Sequence, residues 1–429
     1  MAGTFAEIAR SVGTSGSRDG PKTTADIITF VEAQWGLRAT LFPIQKIILK
    51  AAYGIPLDDI QKIVPVSDFR RQNARMMTEA EYLRYLFDLG RSNIKEVVPG
   101  QQRREMVLSL GRRSGKTQLA AFIAAYETYR LIRMGDPQEY FGLPNGEPIG
   151  LISVATDRKQ SGILYSKTAG YYKECAFFGG YMANDTLSYA RFQTPADISR
   201  YGRYADDEKA QASVNVSFSP CRAKSLRGPG NLVVILDELA HFLEEGTSQS
   251  AADAVYKAVV PSTKAFSPKD PKDKSQPIGP VEARIICISS PLGRQGKFFQ
   301  LFQQGFKGGR LSANMLCIQA PTWEVNPSIP ADELEVEYLK DSTDFFTEYG
   351  GEFTDRTRGW IETPQDLFNC IDINLRPIRQ GPIRRPHFCG IDLGLIDDPT
   401  AVALVHLDDQ GRIVQDYLET IQAGYGQFA

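Results

Sequence analysis

The sequence predicts an α/β fold in which a parallel sheet is flanked by helices. Short apolar runs rich in β-branched residues recur along the chain, among them IGLISVAT, LVVILDE and ARIICISS. Stretches with helical spacing of apolar residues lie between such runs, for example QLAAFIAAYETYRLI. Apolar strands that alternate with helices are typical of parallel sheets that are covered on both faces.

Composition limits the class of protein. The 429 residues include 49 Lys and Arg against 51 Asp and Glu, so a net charge of −2 gives no overall basic surface for nucleic acid, although it does not exclude a local one. The six cysteines show no CxxC or Cys/His spacing, which argues against a zinc site or a disulfide framework and fits a reducing cytoplasm. No apolar run is long enough to span a bilayer, so we expect a soluble cytoplasmic protein.

The elements of the first half are predicted in order from the N-terminus. Residues 1–23 are polar and predict a disordered tail, and helical periodicity follows over 24–53 and 79–89. The stretch 106–110 predicts a strand that leads into a Gly-containing turn and an apolar helix. After the strand IGLISVAT, the charged stretch 197–212 is expected to be a surface loop.

The second half completes one domain and begins another. The strands SVNVSF, LVVILDE and ARIICISS complete the predicted sheet, with a helix over AADAVYKAVV before the last of them. A first domain is predicted at 24–375, with a lid or linker region near its end that starts at residue 320 or so, and a Pro/Arg-rich linker at 376–387. The strands HFCGIDLG, TAVALVHL and RIVQDYLETI then predict the start of a second α/β domain at 388–429.

The turn after the strand MVLSL reads GRRSGKT. A strand, a GKT turn and a helix place phosphate groups on backbone N–H groups at the helix N-terminus, so Gly111, Ser114 and Gly115 are candidate binding residues of the loop. Lys116 would contact the β- and γ-phosphates of ATP, and the Thr117 hydroxyl would bind Mg²⁺. The alternative is a surface turn with an exposed lysine.

LVVILDE supplies the second half of a nucleotide site. It is a buried apolar strand that ends in Asp237 and Glu238, at the carboxyl edge where ligands of parallel sheets bind. Asp237 would hold Mg²⁺ through water, and Glu238 would orient and polarise the attacking water. An acidic start to the next helix is the alternative. Together the two motifs predict a P-loop NTPase that hydrolyses ATP.

Two arginines stand inside the GRRSGKT turn. Arg112 lies four residues before Lys116, close enough to reach the phosphates of its own ATP and to stabilise the charge of the transition state. The alternative is that Arg112 pairs with a nearby carboxylate. We assign no role to Arg113.

The order of these motifs resembles that of the large terminase subunit of tailed bacteriophages, an ATP-driven DNA-packaging motor. LGRRSGKT is similar to the deviant Walker A motif of that family, in which an arginine stands four residues before the lysine and the first glycine is often absent. LFPIQ, SLRG, ISSPLGRQGKFF, WEVNPSIP and EYGGEF resemble further segments of the family, in the family's order. The resemblance covers most of the chain and implies an ASCE-type P-loop ATPase.

The resemblance implies roles for four further residues. Gln45, in LFPIQ, would contact the base edge of adenine, and Arg227, in SLRG, would reach the ATP of a neighbouring subunit. Ser289 and Ser290 would couple the loss of γ-phosphate to motion. A plain helix start is the alternative for Gln45, and a strand end with a capping serine is the alternative for Ser289 and Ser290.

GIDLGLIDDPTA resembles the opening of the family's RNase H-like nuclease domain. Such nucleases hold two Mg²⁺ or Mn²⁺ ions on carboxylates, and Asp392, at a strand end, is the candidate for the first. Asp397 and Asp398 fit turn chemistry better than catalysis. The other carboxylates are expected beyond residue 429, so we expect this chain alone not to cut DNA, whether it continues in a longer protein or a second polypeptide completes it.

The resemblance also implies partners and a place of action. The motor would move double-stranded DNA into a procapsid, with the portal protein and the small terminase subunit as partners, as a homo-oligomeric ring on the portal and without a membrane. It would act in the host cytoplasm and transiently at the portal vertex. Arg294, Lys297 and Lys307 could contact the DNA backbone or be solvated surface charge. The alternatives are another P-loop translocase or helicase, and a nucleotide-gated portal-docking module with little turnover.

Overall fold

The computed structural model describes residues 23–156, 158–186, 188–204, 211–220, 230–242, 250–354, 368–372, 386–392 and 400–421. The chain divides into two compact units, Met1–Asp355 and Arg356–Ala429. Outside the described residues lie the predicted tail up to residue 22, SLRG with Arg227, the pair Asp397 and Asp398, and most of the predicted linker.

Small elements precede the main sheet of the first unit. They are the helices α1 (Ile27–Glu32) and α2 (Pro43–Tyr53), the antiparallel hairpin of β1 (Val64–Val66) and β2 (Arg75–Met77), and α3 (Glu79–Asp88). At the start of α3, Glu81 N donates to Thr78 Oγ1 (3.1 Å) and Thr78 N donates to the Glu81 carboxylate (2.8 Å). This capping box satisfies two backbone donors that the helix itself leaves open.

The main sheet and its helices follow in chain order. The first group is β3 (Glu105–Leu110), α4 (Lys116–Arg133), α5 (Pro137–Phe141), β4 (Ile149–Ala155), α6 (Arg158–Glu174), β5 (Met182–Asp185), β6 (Tyr189–Phe192), α7 (Pro195–Tyr201), β7 (Val214–Pro220) and β8 (Asn231–Asp237). The second group is α8 (Ser250–Val259), β9 (Arg284–Ser289), α9 (Gly296–Phe306), α10 (Gly309–Ser312), β10 (Met315–Ala320), α11 (Thr322–Val325), α12 (Ala331–Lys340) and α13 (Ser342–Glu348).

The eight strands pair in the order β10-β3-β9-β8-β4-β7-β6-β5. All pairs from β10 to β7 are parallel, and β9 lies between β3 and β8, as an ASCE-type P-loop sheet requires. At the other edge β6 and β5 are antiparallel, so the sheet is mostly parallel, with an antiparallel edge that the sequence did not predict. Only residues 186–188 join β5 to β6, and a parallel pair needs a crossover of about a dozen residues or more.

Alternate residues of the strands face two separate hydrophobic cores. In β3, Met106 and Leu108 belong to a core that also contains residues of α1, α2 and α4. Val107 belongs to a second core with residues of α8 and α9. Because successive side chains of a strand face opposite sides of the sheet, helices cover both faces, and the predicted α/β P-loop fold is confirmed.

The charged stretch predicted to be a surface loop at 197–212 begins inside α7, which is a correction. Asp197 is buried, and its carboxylate accepts hydrogen bonds from Thr194 N (2.8 Å), Ser213 N (2.9 Å) and Ser213 Oγ (2.6 Å). Thr194 Oγ1 in turn accepts from Asp197 N (3.2 Å). The acid therefore caps a helix and fixes the start of β7, a role that charge alone does not reveal.

A buried charge cluster ties α2, α4 and β9 together. The fully buried Glu127 accepts hydrogen bonds from Arg130 Nε (2.7 Å), Arg284 Nε (2.9 Å) and the Tyr53 hydroxyl (2.8 Å). Burial by itself raises the pKa of Glu127, but Arg130 and Arg284 outweigh burial and hold the pKa below its usual value. The carboxylate is therefore charged, paired and fully enclosed.

The described part of the second unit contains three strands, β11 (His387–Asp392), β12 (Thr400–Leu407) and β13 (Ile413–Ile421). They form an antiparallel sheet in that order, with a bulge between Leu404 and Val405. The strands lie where the sequence predicts them, and the RNase H-like assignment stays a prediction. None of the helices in the described residues has the length and hydropathy needed to cross a bilayer.

Candidate nucleotide-binding site

The GRRSGKT turn forms a loop between the carboxyl end of β3 and the first residue of α4. Two of its residues have left-handed backbones, Arg113 with φ 62° and Gly115 with φ 87°. A side chain at Gly115 would be strained, and its Cβ would lie 2.9 Å from Gln45 Nε2. The loop thus brings backbone N–H groups to a helix N-terminus, which is the arrangement that binds phosphate.

Lys116 lies inside the loop, with its side chain only 6% exposed. Its Nζ donates to the carbonyl oxygens of Leu110 (3.3 Å) and Gly111 (3.4 Å) and lies 3.3 Å from Glu238 Oε1. Thr117 follows in the first turn of α4, at a half-buried position. The lysine is therefore held at the carboxyl ends of β3 and β8 and is not the exposed side chain of a plain surface turn.

Asp237 is the last residue of β8 and is buried. Burial and the neighbouring charge of Glu238 raise the pKa of Asp237 to about 7, although Lys116 lowers it. Among the described residues, neither Asp237 Oδ1 nor the buried Ser114 Oγ has a hydrogen-bond partner. A buried polar atom without a partner is costly, and Mg²⁺ bound with ATP would satisfy this carboxylate oxygen. The residues at this end of the sheet therefore fit Mg²⁺ and ATP.

Glu238 follows Asp237 with a left-handed backbone, φ 60°, that residues other than glycine adopt only at a cost. Its Oε2 accepts hydrogen bonds from Ser289 Oγ (3.1 Å) and Ser290 N (3.2 Å). Ser290 Oγ lies 3.4 Å from His241 Nε2. Since β8 and β9 are neighbours in the sheet, the serines predicted as sensors contact the carboxylate predicted to orient the attacking water.

Gln45 is buried in the first turn of α2 and lies beside the loop. Its Oε1 accepts a hydrogen bond from Phe42 N (3.1 Å), which is the contact of a plain helix start. Its Nε2 lies beside Gly115, where it would be 2.9 Å from an added Cβ. Both interpretations of LFPIQ thus have a structural counterpart, and contact with adenine stays a prediction.

Arg112 is two-thirds exposed, and its Nη1 lies 3.5 Å from Glu348 Oε2. Its backbone N donates to Glu348 O (2.5 Å). The contact between the Arg112 guanidinium and the Glu348 carboxylate is the pairing that the sequence left open as the alternative to phosphate contact. The guanidinium is held loosely and at the surface, so its role toward ATP stays a prediction.

The segment after β10 packs directly on the loop, which the sequence did not predict. Thr322 Oγ1 donates to Arg112 O (2.7 Å), and Asn326 Nδ2 donates to Arg113 O (2.9 Å). A Cβ at Gly111 would lie 2.1 Å from Tyr349 O, so only glycine fits there. The segments WEVNPSIP and EYGGEF therefore hold the loop from outside, and the glycine at 111 was the one sequence signal of this close approach.

The three candidate DNA contacts differ in their surroundings. Lys297 Nζ lies 3.1 Å from Asp253 Oδ1 and 4.6 Å from the centre of the Tyr256 ring, so this lysine is engaged within the protein. Arg294 and Lys307 line a cleft of about 780 Å³ together with phenylalanines of α9. Arg294 Nε also donates to Phe353 O (3.1 Å).

Two predicted site residues do not join this arrangement. Arg227 lies outside the described residues. Asp392 ends β11 at an exposed position in the second unit. The structure thus brings together Lys116, Asp237, Glu238 and the two serines, and leaves the nuclease prediction with one exposed carboxylate.

Comparisons with known proteins give a family and several similar structures. No curated protein matches the chain. Among solved structures, the chain is similar to the large terminase ATPase domain of Thermus phage P74-26, with 19% identity and a TM-score of 0.39 over 59% of this chain and 89% of that chain. An arginine-to-alanine mutant of that domain gives 18% identity and a TM-score of 0.40 over 59% of this chain and 90% of that chain. The large terminase of bacteriophage HK97 is 13% identical, with a TM-score of 0.42 over 86% of this chain and 66% of that chain.

The family is identified by the match of the amino-acid sequence to a family model. A protein-family model described as "Uncharacterized protein MJ0330, N-terminal P-loop domain" matches residues 18–350. That span includes the loop, both carboxylates of the β8 end and the segment that packs on the loop. Because the match extends over more than half of the chain, the chain belongs to this P-loop domain family.

Proposed function

We propose that the chain is the ATP-hydrolysing motor of a large terminase, which moves double-stranded DNA into a procapsid. The observation that carries the ATPase part is the convergence of Lys116, Asp237 and Glu238 around a carboxylate oxygen without a hydrogen-bond partner among the described residues. The terminase part rests on the order of the sequence motifs. The family assignment supports the nucleotide-binding fold.

The resting contacts of the site suggest how its residues act on ATP. Lys116, now beside Glu238, exchanges that carboxylate for the β- and γ-phosphates. Deprotonated Asp237 would hold Mg²⁺, and the ion would supply positive charge against the charge that develops on the phosphates. Glu238, released from Lys116, is free to orient the attacking water. Asp237 Oδ1 would thereby gain the partner that the described residues do not supply.

Coupling to DNA runs through β9 in this proposal. Glu238 contacts Ser289 and Ser290 at the end of β9, and α9 begins six residues after Ser290, at Gly296. A change in the Glu238 contacts after loss of γ-phosphate would therefore reach α9 and the cleft with Arg294 and Lys307. A motor needs contacts to DNA phosphates and not to bases, so a small number of Lys and Arg side chains on one surface suffices.

The finer parts of the assignment are also proposals. The chain would form a homo-oligomeric ring on the portal protein at the procapsid vertex in the host cytoplasm, with the small terminase subunit as a further partner. Arg112 would act on its own ATP and Arg227 on that of a neighbour. Asp392 would bind one nuclease metal, Mg²⁺ or Mn²⁺, once further carboxylates complete the site.

Packaging of DNA into procapsids that carry a portal tests the function. We expect the wild-type chain to protect DNA from added nuclease in the presence of ATP, and Glu238→Gln to protect none. Glu337→Gln is the matched control, because it makes the same chemical change on the exposed face of α12. If the wild-type chain hydrolyses ATP on DNA but packages none, the alternative of another translocase or helicase replaces this proposal.

A further inference from the structure

The second unit contains a cluster that the proposed motor does not use. His387, His406 and Asp416 come from β11, β12 and β13, and one possible ligand atom of each lies within 4.8 Å of the others. His387 Nε2 is 3.1 Å and His406 Nδ1 is 2.5 Å from the same oxygen, Asp416 Oδ2. All three side chains are largely shielded, with 17%, 15% and 5% of their surfaces exposed.

The backbone places these three side chains together. His387 and His406 are direct partners across the β11–β12 pair. On β13, Gln415 pairs with Val405 and Tyr417 pairs with Leu404, so Asp416 is the extra residue of the bulge. A bulge changes the direction of a side chain relative to the regular alternation of a strand. The irregularity therefore lies at the residue that completes the cluster.

The burial of the cluster contrasts with the exposure of several apolar side chains of this small sheet. Phe388, Ile391 and Leu418 are each more than half exposed, whereas Asp416 is buried. A buried carboxylate flanked by two imidazoles has the donor set of a cation site, since two nitrogens and one oxygen are common ligands of late first-row divalent metals. The described sheet thus shields its polar ligands and exposes apolar side chains.

We propose that His387, His406 and Asp416 form a binding site for a late first-row divalent cation, with Zn²⁺ as the expected ion and water in the fourth position. In a tetrahedral site with metal–nitrogen bonds of about 2.0 Å, ligand atoms lie about 3.3 Å apart, so the present separations need only small side-chain movements. The bound ion would tie the three strands together.

This site is separate from the one predicted at Asp392. Asp392 pairs with Ala401 at the other end of the β11–β12 pair, five residues and about 17 Å along the strand from His387. The ions also differ, because Mg²⁺ favours oxygen ligands and imidazole favours Zn²⁺. The lack of CxxC or Cys/His spacing argues against a zinc site, but that criterion does not cover ligands from three adjacent strands.

Titration of the full chain with Zn²⁺, against a chromogenic chelator after removal of bound metal, tests the site. We expect one site per chain, an affinity at least about tenfold lower in His387→Ala, His406→Ala or Asp416→Asn, and no competition by excess Mg²⁺. His241→Ala, which changes the one histidine of the sequence outside the cluster, and Asp392→Asn are the controls and should bind like wild type. No binding by wild type, or equal binding by the three cluster variants, overturns the proposal.

A second measurement needs no variant and therefore does not depend on their folding. X-ray absorption of the zinc-loaded wild-type chain should show nitrogen and oxygen ligands with the scattering pattern of two imidazoles. The exposed thiols of Cys370 and Cys389 are the thiol ligands that the second unit offers in its described residues. Sulfur in the first coordination sphere would therefore overturn the proposal, whatever the variants show.

Discussion

Two aspartates end strands in the two units, and their surroundings are opposite. Asp237 ends β8 in the middle of an eight-stranded sheet and is buried, with one oxygen that has no hydrogen-bond partner among the described residues. Asp392 ends β11 at the edge of a three-stranded sheet and is exposed. Both aspartates follow apolar residues of a strand, so the local sequence does not distinguish the buried one from the exposed one.

The difference shows that an aspartate at a strand end is suited to bind a ligand only where other loops, helices and strands surround it. Around Asp237, the loop after β3, the first turn of α4 and the end of β9 converge, and burial raises the pKa of the carboxyl to about 7. Glu127 provides a third case, since it is buried and fully paired with two arginines and a tyrosine. Asp237 is therefore buried like a structural acid, but one of its carboxylate oxygens has no hydrogen-bond partner among the described residues.

The largest effect on stability is expected where a buried acid is paired. Glu127→Ala leaves Arg284 buried without its carboxylate, which should lower the free energy of unfolding by about 3–5 kcal/mol. Chemical denaturation measures this difference. Glu337→Ala, which removes a surface pair, should change it by less than about 1 kcal/mol, and a similar loss in both variants would contradict the contrast.

Asp237→Asn should lower ATP turnover by about 100- to 1000-fold in a steady-state hydrolysis assay, because the amide cannot supply the charge that holds Mg²⁺.

The same Asp237→Asn change should make the nucleotide-free protein more stable than the wild type above pH 7. The folded pKa is raised, so between about pH 4 and 7 the folded state keeps a proton that the unfolded state has lost, and stability falls as the pH rises. A variant that is less stable than wild type at pH 8 would contradict this account.

Binding of a non-hydrolysable ATP analogue with Mg²⁺ should depend on pH through the same carboxyl. The pKa of Asp237 lies at about 7, so affinity should fall by up to about tenfold for each pH unit below that value. Isothermal titration at pH 6, 7 and 8 measures the slope. Asp237→Asn should remove most of it, and an unchanged slope in that variant would assign the effect to another group.

The smallest effect is expected at the exposed aspartate. Asp392→Asn should change the free energy of unfolding by less than about 0.5 kcal/mol and leave ATP turnover unchanged, because this side chain is exposed. Thermal denaturation and steady-state hydrolysis measure both. A large loss of stability would contradict the contrast with Asp237, because it would mean that Asp392 makes contacts that stabilise the fold.

The parts of the site that sequence could predict are those whose chemistry is local. GRRSGKT and LVVILDE each carry strand, turn and functional residue within one short stretch, and their meeting follows from the parallel sheet. The contacts of Thr322, Asn326 and Tyr349 with the loop join residues more than 200 positions apart, and no short motif encodes them. The antiparallel edge, the contacts of Asp197 with Ser213 and the cluster at Asp416 also depend on tertiary pairing.

Steady-state ATP hydrolysis by the wild-type chain, Lys116→Ala and Glu238→Gln measures whether the residues at the ends of β3 and β8 form an ATPase site. We expect Mg²⁺-dependent turnover in the wild type and a loss of at least about 100-fold in each variant, with Glu337→Gln like wild type. Circular dichroism of each variant confirms that the fold is retained. Folded Lys116→Ala and Glu238→Gln proteins that turn over ATP at the wild-type rate would contradict this expectation.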